Sequence, residues 1–576
     1  MCNENKNIVY RLMYLFLAII TNSLFAYGHQ CDNTLDSTPA KVLHIYQIDP
    51  LEKVLPKQSL ENQADTLYVA QGEYATIQLV VKPFDQLKDP QINVKINHTE
   101  HSASLDATIK KIGYVGSTNR FILESNVIIK SPTDQYPDPM FPLDEPGFKS
   151  YEAQPFWITA EIPKSTPAGI YKGTMRVSGS IDGKQISEEK PFFIKVYPVV
   201  VDNISLSTTN WYFMDSQTLA YMNNGTPVTR YSDFYWQLVR EFAKISAEYK
   251  NNTHYISLFD NIKFSLSADG VYSFDFDNFD KELRIFEELG ALTRIEGAHL
   301  GYRFGESEAP FGVYVPILEG NEISIRLLPL SDQRSQIFYS QFLPVFRKYL
   351  EDNGWYDRYL QHIGDEPVIA NAASYSEIST FVRKHMEGVK ILEAVLTSEG
   401  IDDGIDIWIP QVNVFGSNYD TIFKPLIDKG DEVWIYTCTG PQGNYANRFI
   451  QLPLIQMRIM HWINFKYQAS GYLHWGGNSW TTAADPYKET TNLTHDWPGG
   501  DSYIVYPGYG KLYPSIRLSA MRDGIYDYEL LKMLREKNPL KAQDIVDKVV
   551  ISYAEYNNTI PNFRKMRKEI LESLSK

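Results

Sequence analysis

The sequence predicts a multidomain β plus α/β protein: an N-terminal β-sandwich, a (β/α)8 TIM-like barrel and a C-terminal helical extension. Three observations carry this. Apolar residues alternate at period two, punctuated by Pro, Gly and Asp, from about Lys41 to Pro198. From about Leu206 short β-like runs alternate instead with amphipathic helical stretches. Finally, 43% hydrophobic and 14% aromatic side chains over 576 residues suit large packed cores and exclude a disordered chain or a coiled coil.

Residues 1–28 read as a secretory signal peptide. Lys6 and Arg11 precede the apolar run LMYLFLAII, Leu12 to Ile20, and Ala26 and Gly28 have the small-residue spacing of a cleavage site. The run is too short to span a bilayer, and no later one reaches the roughly 18 apolar residues required. The expected location is therefore extracytoplasmic, periplasmic or secreted. Lipidation at Cys31 is disfavoured because Gln30 precedes it where a small residue is expected. Three cysteines, Cys2, Cys31 and Cys438, make neither a disulfide framework nor a cysteine-rich metal site.

The sandwich is expected over 41–200. TLYVAQGEYATIQLVVKPF, Thr66 to Phe84, alternates around a turn at Gly72, and Asp182-Gly183 is a hairpin signal. The Pro- and Asp-rich stretch Tyr136 to Gly147 reads as a loop inserted between strands. The barrel is expected over 206–535, with strands in TTNWYFMD (from Thr208), HYISLF (His254), RIEGAHL (Arg294), RYLQHIG (Arg358), KILEAVL (Lys390), IDIWIP (Ile405), EVWIYTC (Glu432) and GYLHWGG (Gly471). Helical patterns separate them, as in Phe234 to Tyr249 and Ser335 to Gly354. A doubly wound open sheet is the runner-up, but no GxGxxG or P-loop anchors a nucleotide. Residues 536–576 form the helical extension, and the charged MRDGIYDYELL, Met521 to Leu531, reads as a solvated helix face.

A formal net charge of −15 with no long basic run argues against a nucleic-acid partner. Eleven histidines show no HExxH or paired ligand spacing, so no metal and no other cofactor is expected. In a barrel, chemistry belongs at the C-terminal strand ends. There HIGDEP presents Asp365 and Glu366 side by side, and paired carboxylates suit glycosidic cleavage because one stays anionic while the other holds a proton. The competing reading is a helix N-cap ahead of Pro367. Tyr436, Trp475, Trp408 and His299 also end strands, and Trp480 follows the glycines of GGNS. Stacking on a sugar suits Trp475, the assignment of Trp480 is even, and burial habits favour a structural role for Trp408 and His299.

HIGDEP, DIWIP, VWIYTC, RFIQLPLIQMRIMHW, GYLHWGGNSW and YPSIRLSAMRDGIYDYELL, in this order, resemble glycoside hydrolase family 123. The resemblance implies an exo-acting retaining enzyme that releases terminal β-linked N-acetylgalactosamine. It implies that the substrate's own 2-acetamido group is the nucleophile, with Asp365 holding that group and Glu366 as general acid/base. Tyr436 is the candidate donor to the acetamide oxygen. The alternatives are the same mechanism on β-linked N-acetylglucosamine, and a non-catalytic glycan-binding surface protein. The expected partner in each case is a glycan.

Overall fold

The computed structural model describes residues 43–63, 66–118, 128–145, 149–397, 404–483, 485–492, 495 and 497–576. The expected signal segment and Cys31 lie outside the described residues.

Two five-stranded sheets face each other at the N-terminal end. One runs in the order His44–Ile48, Tyr74–Lys82, Gln154–Glu161, Ala107–Gly116, Gln135–Pro142. The other runs Thr66–Gln71, Lys184–Val200, Gly169–Ile181, Lys88–His98, Ser104–Leu105. Their inner faces bury Ile77, Leu79, Phe156, Ile158, Met175, Val177, Phe192 and Ile194 in one cluster, which is what the period-two pattern encodes. At Gly72 the chain leaves one sheet for the other with φ +88°, and a Cβ there would lie 2.4 Å from the Val201 carbonyl oxygen. Asp182 and Gly183 both have positive φ and close the antiparallel hairpin.

One expectation is corrected here. Most of the Tyr136–Gly147 stretch is not a loop, since Gln135–Pro142 is a strand paired with Ala107–Gly116. It is an edge strand, where prolines lacking an N–H are tolerated because one side needs no ladder.

The second unit of the fold is a parallel barrel of eight strands: Ser207–Asn210, Thr253–Ile256, Arg294–Gly297, Tyr359–Gln361, Lys390–Val395, Ile407–Pro410, Glu432–Tyr436 and Gly471–His474. Each overlaps one of the eight predicted segments, and the first two begin one residue earlier, at Ser207 and Thr253. The first pairs with the eighth, which excludes the open-sheet alternative. Between the first and second, side-chain amides do the work of a ladder: Asn252 Oδ1 accepts from Thr208 N at 2.9 Å and Asn251 Oδ1 from Asn210 N at 2.7 Å. Helices Asp233–Tyr249, Asp277–Glu288, Gln333–Asp352, Ala372–His385 and Ile455–Lys466 cover the outside, and Ile516–Lys537 follows the last strand. A three-stranded sheet, Gly301–Arg303, Phe311–Glu319 and Glu322–Leu328, rises from the end of the third strand. The chain finishes in helices Pro539–Asp547 and Ile560–Leu574.

Met521 to Leu531 is a second correction, because Arg522 and Asp527 are fully buried. Asp527 accepts from Arg458 and Arg567 and from the Trp462 indole, while Arg522 lies over the Tyr74 ring. Arg567 also pairs with Glu73 of the sandwich, and Arg517 with Asp138. The charges of this helix join barrel, sandwich and C-terminal helix, a role invisible to a pattern that assigns charge to solvent. Among the described residues no helix is long and apolar enough to cross a membrane.

Candidate active site

The fourth barrel strand ends at Gln361, and His362, Ile363 and Gly364 lead to Asp365 and Glu366, both half-buried. Gly364 is required by space, since a Cβ would meet the Phe311 ring at 2.6 Å. Glu366 has φ +46°, a left-handed backbone that a non-glycine residue adopts only when held there. Arg303 does the holding, because its Nη2 donates to the backbone oxygens of both Asp365 and Glu366.

Burial pushes the Glu366 carboxyl up to about 7, and the neighbouring Asp365 charge adds to it. The Tyr436 hydroxyl donates to Glu366 Oε1 and Arg303 is close by, and both favour the anion without reversing the shift. Near neutral pH the Glu366 carboxyl can therefore still hold a proton, which is what a general acid requires.

Beneath the carboxylates lies a fully buried line of polar groups. His362 Nδ1 is 2.7 Å from Glu393 Oε1 and its Nε2 is 2.8 Å from Glu296 Oε1, which also accepts from the Trp211 indole at 2.8 Å. Burial works against a charged His362, but the two carboxylates outweigh it and hold its pKa well above the usual histidine range. Burial likewise opposes the Glu393 anion, and His362 and His299 overcome that to hold it low. His299, His362 and Glu393 each bring a donor atom within 4.8 Å of the others. Both His362 nitrogens already face carboxylates, so a metal held by this trio would have to displace the contact with Glu393 or Glu296.

The expected site residues divide. Tyr436 reaches Glu366. Trp475, just past the eighth strand, is half-buried, packs edge-on against Trp497 at 5.6 Å and borders the barrel-interior cluster that contains Tyr436 and Trp211. His299 reaches the floor, its Nε2 3.3 Å from Glu393 Oε1. Trp480 is corrected: it is 0% exposed, donates to the Val505 carbonyl at 2.8 Å and packs near Tyr221 and Phe242 in the helix layer. Trp408 also leaves the set of candidate sugar-binding residues, in the structural role that burial habits favour. Its neighbours Ile407 and Ile409 face the barrel interior, so strand alternation turns Trp408 outward. There it shares a groove with Lys390 and Glu432, which begin their strands at the end opposite the carboxylates.

Sequence reasoning missed Arg303, Glu296, Glu393, Trp211, Tyr255 and Asp501. Tyr255 stacks on Trp211 with centroids 4.5 Å apart. Asp501 lies beside the Trp475 indole, and burial pushes it up to about 7. Glu296 and Glu393 left a signal: each is a carboxylate inside an otherwise apolar run of a buried parallel strand. Such a residue needs a partner.

A parallel barrel bearing a protonatable carboxyl beside a second carboxylate at its C-terminal mouth has the layout of a glycoside hydrolase. Residues 214–534 match the catalytic domain of glycoside hydrolase 123, and residues 52–179 match the N-terminal domain of the same family. The chain belongs to glycoside hydrolase family 123 and is a glycoside hydrolase. Its fold is similar to that of a family 123 glycoside hydrolase from Clostridium perfringens, solved in a study of glycolipid glycan hydrolysis. The identity is 17% and the TM-score 0.67, over 93% of this chain and 97% of that one. A β-glucuronidase from Parabacteroides merdae has TM-score 0.30 and 10% identity, over 85% of this chain and 52% of that one. A family 5 mannosidase from Rhizomucor miehei has TM-score 0.30 and 12% identity, over 60% and 95%. No curated protein sequence matches the chain.

Proposed function

We propose that this glycoside hydrolase is an exo-acting, retaining enzyme that releases terminal β-linked N-acetylgalactosamine by substrate-assisted catalysis, outside the cytoplasm. The observation that carries the reading is the pair itself: Glu366, with its carboxyl pushed up to about 7, directly follows Asp365. In direct double displacement the two carboxyls flank the anomeric carbon from opposite faces, about 5–5.5 Å apart. Consecutive residues on one turn are poorly placed for that. They suit a reaction in which the acetamide oxygen attacks, Asp365 orients the acetamide N–H and stabilises the oxazolinium cation, and Glu366 protonates the leaving oxygen. Glu366 then takes a proton from the incoming water. In this reading the Tyr436 hydroxyl turns from Glu366 to donate to the acetamide oxygen once Glu366 carries its own proton, and Trp475 stacks on the apolar face of the ring. Residues 1–28 support export.

Release of chromogenic aglycone from β-N-acetylgalactosaminides and β-N-acetylglucosaminides tests this, since the two sugars differ only at C4. Glycolipid glycans are natural substrates to assay beside them, given the study of the Clostridium perfringens enzyme. Glu366→Gln is expected to lose far more activity on poor leaving groups than on activated ones, and Asp365→Asn to lose activity while staying folded. A thiazoline mimic of the oxazoline should inhibit. No release from either sugar by folded protein would overturn both N-acetylhexosaminidase readings.

A further inference from the structure

The turn carrying the two carboxylates has lost its sheet partners. The ladder between the fourth and fifth barrel strands contains only Leu360 with Lys390 and Gln361 with Ile391. Beyond it the backbone of His362, Ile363 and Gly364 must find other groups, since a buried N–H or carbonyl left bare is costly. On one side, the carbonyls of His362 and Ile363 accept from Leu300 N at 3.2 Å and Gly301 N at 3.1 Å. On the other, a side chain replaces the missing strand. Glu393 Oε2 accepts from Ile363 N at 2.9 Å and Gly364 N at 3.1 Å, with the Tyr375 hydroxyl 3.3 Å away.

The other Glu393 oxygen is held in turn. Oε1 binds His362 Nδ1, and His362 Nε2 binds Glu296, which is fixed by the Trp211 indole. Glu393, His362 and Glu296 are each 0% exposed, so none can exchange these partners for water. We infer that Glu393 is a positioning residue for the general acid, fixing through its two backbone hydrogen bonds where Glu366 presents its proton. The inference rests on Glu366 acting as the acid, and it assigns Glu393 no contact with substrate.

A buried ion pair that only stabilises the barrel would lower the amount of active enzyme and slow every substrate equally. Positioning predicts something different. Poor leaving groups need a well-placed proton donor and activated ones need little help, so the penalty should follow leaving-group basicity. Gln at 393 keeps an oxygen for the backbone N–H groups and an amide donor for His362 Nδ1, which gives up its proton when the Glu393 charge is removed, whereas Ala keeps neither.

The test uses the full chain and aryl β-N-acetylhexosaminides with phenols of high and low basicity. It compares wild type, Glu366→Gln, Glu393→Gln and Glu393→Ala, with circular dichroism and thermal melting on each. Glu393→Gln is expected to fold, to leave KM nearly unchanged, and to lose roughly 100-fold in kcat on the poorest leaving group, the scale of a small misplacement at a reacting centre. Its loss on the best leaving group should be at least several times smaller. Glu393→Ala should lose more than Glu393→Gln where it folds, and where it does not, Glu393→Gln decides. Equal losses on both substrates, or none, would overturn the positioning role while Glu366→Gln still shows its own leaving-group dependence. Loss of that dependence in Glu366→Gln would overturn the acid assignment instead, and this inference with it.

Discussion

The Tyr436 hydroxyl donates to Glu366 Oε1, tying the end of the seventh barrel strand to the turn after the fourth. A donor to a carboxylate stabilises the charged form, so this bond holds the Glu366 pKa below the value burial alone would give. Tyr436→Phe should therefore move the alkaline limb of kcat/KM to higher pH, even as kcat falls. The fall is expected to be about 100-fold, as for loss of one donor at a developing charge. A pH-rate profile of the variant against wild type checks both. An unmoved or lowered alkaline limb would sink the role of this bond.

In the wild-type enzyme the profile itself is informative. Glu366 must carry a proton to act as acid, and its carboxyl is raised from an ordinary 4.5 to about 7. Activity as kcat/KM should thus decline as pH rises through about 7, with an apparent value that belongs to the Asp365–Glu366 pair. The stability sign is the same. Between 4.5 and about 7 the folded chain holds a proton that the unfolded chain has released, so this group's contribution weakens as pH rises across that window. Kinetics and thermal melting in a single buffer series measure both.

Trp475 and Trp480, five residues apart, should behave in opposite ways. Trp480→Ala removes a fully buried ring and is expected to cost about 3–5 kcal/mol. Trp475→Ala leaves a half-buried position at the mouth and should instead raise KM and lower kcat/KM with a much smaller change in melting temperature. Denaturant unfolding and steady-state kinetics on both variants separate the roles. A Trp475→Ala enzyme with wild-type kinetics would remove this residue from the sugar site.

Arg517 and Asp138 form an ion pair with both side chains 0% exposed, joining the Ile516–Lys537 helix to the edge strand of the sandwich. Tyr506 also donates to Asp138 at 2.6 Å. Removing one partner strands a buried charge, so Arg517→Ala is expected to destabilise by about 3–5 kcal/mol. Asp138→Asn combined with Arg517→Ala should cost less than the sum of the single changes. Chemical denaturation of the four proteins reads the cycle, and strict additivity would contradict direct coupling.

Local pattern determined a great deal here. Period-two alternation laid out the inner faces of the sandwich, and eight short apolar runs separated by helical patterns each became one barrel strand. The adjacency of Asp365 and Glu366 is a property of the chain itself, as is their place just past a strand. Tertiary structure decided the rest. Whether Trp408 faces sugar or helix depends on which parity of its strand points inward, and Trp480 was claimed by a core assembled from distant segments. The Pro-rich 135–142 stretch became a strand because it lies at a sheet edge, where its missing N–H groups cost nothing. Arg303, Glu296, Glu393 and Tyr436 reach the carboxylate turn from four different strands or their extensions, with sequence separations from 29 to 70 residues for the pairs they form. Such contacts leave only a faint trace, a charge in an apolar strand, because hydrophobic periodicity reports which residues are buried and says nothing of which buried groups will meet.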